Sequence, residues 1–110
     1  MKFIQLFSDV RARPNAYGLN GSFRELVAFV NGCNAATGTD LLHGFSRRMA
    51  IRLGWGENLY WALLVANIAL PSARVQSLDN LGRQYDERLT AVLFDELLDF
   101  LSSAPGERSS

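Results

Sequence analysis

Few residues in this chain have the types and spacing that chemistry needs. His43 is the sole histidine and Ser46 comes three positions later, a pairing that could supply a base and a nucleophile. No motif places an acid to orient the imidazole, and on a helical wheel His43 falls opposite Phe45 and beside Arg47, so it is expected at the surface. Asp95, Glu96 and Asp99 gather in one helical turn, as acid–base and metal sites do. No second acidic cluster faces them at a recognisable spacing, and a solvated acidic face is the expectation. One cysteine and one histidine cannot build a four-ligand zinc site. Cys33 falls inside an apolar arc, as a small core residue does. GWGEN at 54–58 has neither the length nor the lysine of a phosphate-binding loop. Arg47, Arg48 and Arg52 suggest a DNA-reading helix. Such a motif needs an exposed polar recognition helix after a short turn, and the next helical segment in this chain is WALLVANIAL, which the core requires. No catalytic, cofactor or metal residue is assigned; the expectation is a protein that is not an enzyme and does not bind nucleic acid directly.

The elements that must hold these residues read as helices. Phe3, Leu6, Phe7 and Val10 keep helical spacing, and that helix should stop by Arg13, because Pro14 disfavours a helical residue before it. Ser22 with Glu25 three positions on forms a capping box that opens a second helix, with Phe23, Leu26, Val27, Phe29, Val30 and Cys33 on one arc. Gly38 should end it near Thr37. Thr39 or Asp40 is expected to cap LLHGFSRRMAIRL, with Leu41, Leu42, Phe45, Met49 and Leu53 inward and a turn at 54–58. Residues 59–70 are apolar nearly all round, the pattern of a central helix, and Pro71 closes it. The stretch from Ser72 to Ser103 reads as one long helix or two with Gly82 as the weak point, and Tyr85, Leu89, Val92, Leu93, Leu97, Phe100 and Leu101 are expected to form its apolar face. The expected fold is all-α: one compact bundle of five or six helices over 1–104, with a polar tail at 105–110.

The 110 residues fit a single domain, and nearly half of them are hydrophobic, enough for a core without disulfides. No signal peptide is evident. The longest apolar run is too short to span a bilayer, so neither a membrane nor secretion is expected, and one cysteine suits a reducing, cytoplasmic setting. Formal net charge is zero, which disfavours nonspecific nucleic-acid binding. The charge is unevenly spread: residues 1–56 hold seven Lys/Arg against three Asp/Glu, and residues 57–110 hold four against eight. The acidic half is either a solvated surface or a face for a basic partner. Asp86 and Glu96 fall inside a buried arc and Arg48 and Arg52 lie close to another. A buried charge needs a partner, so one of these carboxylates is expected to meet Arg11, Arg13, Arg48 or Arg52.

RARPNAYGLNGSF, residues 11–23, reads as a rigid corner: Pro14 ends one helix, Ser22 begins the next, Tyr17 is held over the joint, and Gly18 and Gly21 can take backbone angles closed to other residues. With RPNAYG at 13–18, SFRELVAFVNG at 22–32, RLGWGENLYW at 52–61 and an acidic, apolar final helix, the chain resembles the immunity proteins of contact-dependent growth inhibition and related polymorphic toxin systems. The resemblance spans roughly residues 11–70. It departs from the usual pattern at Asn15-Ala16 and at Cys33.

The resemblance implies a cytoplasmic antidote that binds one cognate toxin C-terminal domain, commonly a basic tRNase or other nuclease, as a monomer within a heterodimer, and covers its active site or substrate surface. An acidic face would suit such a partner. Its candidate residues are Glu57, Asp79, Asp86, Glu87, Asp95 and Asp99, with Trp55 and Tyr60 as aromatic anchors. Packing in the core is the competing expectation for both rings. Two other readings stay open: a helical adaptor or homodimer joined through residues 59–70 or the last helix, and a small enzyme built on His43 with a carboxylate.

Overall fold

Among the described residues five α-helices follow one another: α1 Phe3–Ala12, α2 Phe23–Ala36, α3 Phe45–Leu53, α4 Trp61–Ala69 and α5 Asp86–Ser102. The computed structural model describes residues 2–55 and 59–103, so Glu57 and the polar tail 105–110 lie outside the described residues. It is an all-α single domain with no strand among the described residues. Among the described residues no helix is long and apolar enough to cross a membrane.

Burial follows the apolar spacing. Phe7 and Val10 of α1, Phe23, Leu26, Val27 and Val30 of α2, and Leu89, Leu93 and Leu97 of α5 all face one core. The run that is apolar all round becomes the central helix: Trp61, Ala62, Leu64, Val65, Ala66 and Ala69 of α4 are buried, and α4 packs on both α3 and α5. Phe45 sits between Trp61 (5.9 Å between ring centroids) and Phe100 (5.2 Å), joining these three helices through aromatic edges. Asn67 is buried on α4 and fully engaged. Its amide donates to the Leu63 and Val75 carbonyls at 2.8 and 2.9 Å and accepts from the Val75 N–H at 2.8 Å. One side chain thereby fastens the extended stretch after Pro71 to the core.

Two helix starts and one cap differ from expectation. The third helix starts at Phe45, not near Leu41, and neither Thr39 nor Asp40 caps it. Thr39 takes φ +72° and Gly44 φ +86°, so the chain turns twice before it can wind. The N–H groups of Leu41 and Leu42 go back to Thr37 Oγ1 and Asn34 Oδ1 of the α2 end instead of into a helix. The capping box at Ser22 forms only in half. Ser22 Oγ accepts from the Glu25 N–H, but Glu25 Oε1 accepts from the Asn20 N–H while Asn20 Oδ1 takes the Ser22 N–H. The final third is one helix preceded by two short 3₁₀ turns, Leu78–Asn80 and Arg83–Tyr85, with the break at Gly82. Tyr85, expected on the apolar face of this helix, ends the second turn instead and is two-fifths exposed.

Charge fastens the last helix to the first half of the chain. Arg11 at the end of α1 meets Asp95 at 2.9 Å, Arg48 of α3 meets Asp99 at 2.5 Å, and Arg52 of α3 meets Glu96 at 3.0 Å. Asp86, the first residue of α5, accepts the Phe23 N–H at 2.9 Å and so caps α2. The expected pairing of a buried carboxylate with an arginine is therefore present at Glu96, whose side chain is only 11% exposed. Replacing Arg52 with Met strands that carboxylate in the core, whereas replacing Arg11 with Met leaves Asp95 open to water. Chemical denaturation should show a loss of about 1–3 kcal/mol for Arg52→Met and less than about 1 kcal/mol for Arg11→Met, with Glu96→Gln recovering part of the Arg52→Met loss. Equal losses for the two arginines would contradict this.

Candidate functional site

The residues considered for catalysis, His43, Ser46 and Cys33, sit on the turn before α3, on α3 and on α2. His43 is exposed and Ser46 is half-buried. Cys33 is half-buried against the core, and burial pushes its thiol up from the ordinary value, away from the thiolate a nucleophile needs. Among the described residues, no group of three or more His, Cys, Asp or Glu is arranged to hold a metal ion. The acidic turn at 95–99 is divided among three arginines, and two of these also lie over rings: Arg11 over Phe94 (5.6 Å) and Arg48 over Phe100 (6.0 Å). Arg48 also donates to Ser103 Oγ.

The acids expected to face a partner therefore lie in different settings. Asp79 pairs with Arg24 at 3.2 Å, Asp86 caps α2, and Asp95 and Asp99 carry the arginines just described. Each pairing offsets the field that the carboxylate could project. Glu87 is the exception: it is exposed, and its carboxylate has no partner among the described residues.

The aromatic candidates are joined by neighbours that are not among the expected contact residues. α3 ends as Gly54 turns left-handed at φ +72°. The Gly54 N–H then reaches Ile51 O and the Trp55 N–H reaches Ala50 O, folding Trp55 back over the helix end. Beyond 56–58 the chain enters α4 through Leu59 and Tyr60. Ile51 is 68% exposed, and Trp55, Leu59 and Tyr60 are each about two-fifths exposed. The last turn of α3 and the described part of its connection to α4 thus expose Ile51, Trp55, Leu59 and Tyr60. Tyr60 is also held in place. Its ring lies 5.7 Å from that of Trp61, and the Asn31 amide spans both, donating to the Tyr60 hydroxyl at 2.5 Å and accepting from Trp61 Nε1 at 3.0 Å. A fixed, half-exposed ring loses little freedom on contact with another protein. Ile51 could have been found in advance, since it lies two residues from inward-facing Met49 and so points the other way on the wheel. Nothing in the sequence distinguishes Asn31 or Leu59.

The corner at 13–22 is built as expected and more tightly. Asp9 of α1 accepts two hydrogen bonds from Arg13, at 3.0 and 2.7 Å, and one from the Tyr17 hydroxyl at 2.5 Å. The Tyr17 ring meets Phe29 of α2 edge-on at 5.9 Å. Pro14–Tyr17 forms a 3₁₀ turn that Gly18 closes at φ +76°. One carboxylate thus fixes where α1 meets α2.

No protein family, no curated protein and no solved structure matches this chain.

The corner sets a pH dependence. Hydrogen bonds from Arg13 and then from Tyr17 hold the Asp9 carboxyl below its ordinary value, and the bond to Asp9 holds the Tyr17 hydroxyl above its own. The Asp9 contribution to stability is present above its unfolded-state value and is lost as pH falls through the folded value. The Tyr17 contribution is present below its unfolded-state value and is lost as pH rises through the folded one. Asp9→Asn should flatten the acid limb of the stability–pH curve and bring one tyrosine transition, followed by phenolate absorbance, back down toward its ordinary range. An unchanged tyrosine titration would show that the contact does not persist in solution.

Proposed function

We propose that this chain is an immunity protein: a non-catalytic antidote that binds one cognate toxin domain of a contact-dependent growth inhibition or related polymorphic toxin system, a tRNA-cleaving or other nuclease, in the cytoplasm of the producing cell. The observation that carries the reading is the α3–α4 connection. A domain with a well-filled core exposes Ile51, Trp55, Leu59 and Tyr60 at one turn. That is the composition of an interface centre, where buried aromatic anchors dominate binding energy. Trp55, Leu59 and Tyr60 of this group lie within the RLGWGENLYW stretch on which the family resemblance rests.

The part played by acids is narrower than a broad negative face. Asp79, Asp95 and Asp99 meet a partner as ion pairs with arginines of their own chain, so they offer directed acceptors with little net charge. Inhibition then comes chiefly from covering the toxin's working surface, with Glu87 and the neighbourhood of the apolar turn as the polar contributors. A homodimer joined across the same turn is the rival, because an apolar turn can as readily cover a second copy of itself.

Co-expression with the toxin domain encoded immediately upstream tests the reading. Cells carrying this chain should survive and cells without it should die; equal killing would end the proposal. Trp55→Asp should abolish protection while leaving the melting temperature nearly unchanged, since the ring is outside the core. Sedimentation of the isolated chain should show a monomer; a stable dimer that Ile51→Asp dissociates would favour the rival.

A further inference from the structure

We infer that a groove between the α1–α2 corner and the first turns of α5 receives a lysine or arginine side chain from the partner protein. The groove holds about 220 Å³, with a floor of Val10, Leu19, Leu26 and Phe94 and with Arg11 and Glu87 at its exposed rim. Its wall is the corner itself. The 3₁₀ turn from Pro14, fixed by Asp9 through Arg13 and Tyr17, and Gly21 at φ +91° hold that wall off α5.

Charge selects the occupant. Arg11 is already engaged, paired with Asp95 and lying over the Phe94 ring, while the Glu87 carboxylate has no partner among the described residues. A purely apolar side chain entering here would take water from Glu87 and return nothing, which is costly for an ionised group. An acidic one would be repelled. A lysine or arginine suits both parts: its methylene stem covers the apolar floor and its cationic head reaches the carboxylate at the rim, an arginine in a two-bond fork. The inference rests on the proposed function only for the identity of the protein that supplies the side chain, a basic nuclease surface being a ready source.

Two measurements separate the groove from that reading. The first needs no toxin: butylguanidinium is titrated into the full chain and followed by amide shifts. Gly21, Thr90 and Ala91 should move saturably, and Glu87→Gln should weaken the titration by about tenfold. Absent shifts, or equal shifts in Glu87→Gln, would overturn the inference. The second uses the toxin domain. Glu87→Lys and Ala91→Leu, one reversing the rim charge and the other filling the groove, should each raise the Kd by about tenfold or more with melting temperatures close to the parent's. Two variants that bind as the parent does would remove the groove from the interface and leave the antidote reading standing. A chain that binds butylguanidinium at the groove yet protects no cell would do the reverse.

Discussion

Glu96 sits on the buried side of α5 with its side chain almost closed off from water, and Arg52 of α3 is the group that makes this tolerable. The placement of the rest of α5 depends on that pair and its neighbours. Asp95 one residue earlier reaches Arg11 of α1, and Asp99 one turn later reaches Arg48 of α3. Because 48 pairs with 99 and 52 with 96, α3 and α5 must run antiparallel, and a shift of one turn in either direction could keep at most one of the two ion pairs. Dispersion and apolar burial supply most of the attraction between these helices. The charges supply register, which an apolar face rich in leucine specifies poorly by itself.

This arrangement changes the meaning of the uneven charge along the chain. A basic first half and an acidic second half suggest a molecule with a negative face for a cationic partner. In the folded domain the two halves meet each other: arginines of α1, α2 and α3 take Asp95, Glu96 and Asp99 of α5 and Asp79 of the turn before it. Among the described residues, what these pairings leave outward includes an apolar turn between α3 and α4 and, beside a groove, Glu87. Recognition through such features comes from shape and desolvation more than from long-range attraction.

Much of the fold was legible because its signals are local. Proline at 14, the Ser22 cap, the apolar arcs of α2 and α5 and the all-round apolar α4 each declare themselves within a few residues. The misplaced charge at Glu96 even announced a partner of the right type. What escaped the sequence is non-local. Gly44 breaks the expected start of α3 because Leu41 and Leu42 are tied back to Thr37 and Asn34 of α2, and periodicity counts apolar residues, not where a turn sends its N–H groups. Asn67 reads as a lone polar residue in an apolar run until Val75 is brought against it. For the candidate site, residue type identified Trp55 and Tyr60, but whether Asp95 or Asp99 faces a partner depends on an arginine far away in the chain, beyond any motif.

The salt dependence of association with the toxin domain proposed as its partner tests this account most directly. Carboxylates already paired within the domain cannot steer a partner over distance, so the association rate constant should change by less than about threefold between low and physiological ionic strength. A rate that falls by about a hundredfold or more over that range, as strongly steered complexes show, would mean that the acids of α5 face the toxin as a free negative surface and that the internal pairing described here does not govern recognition.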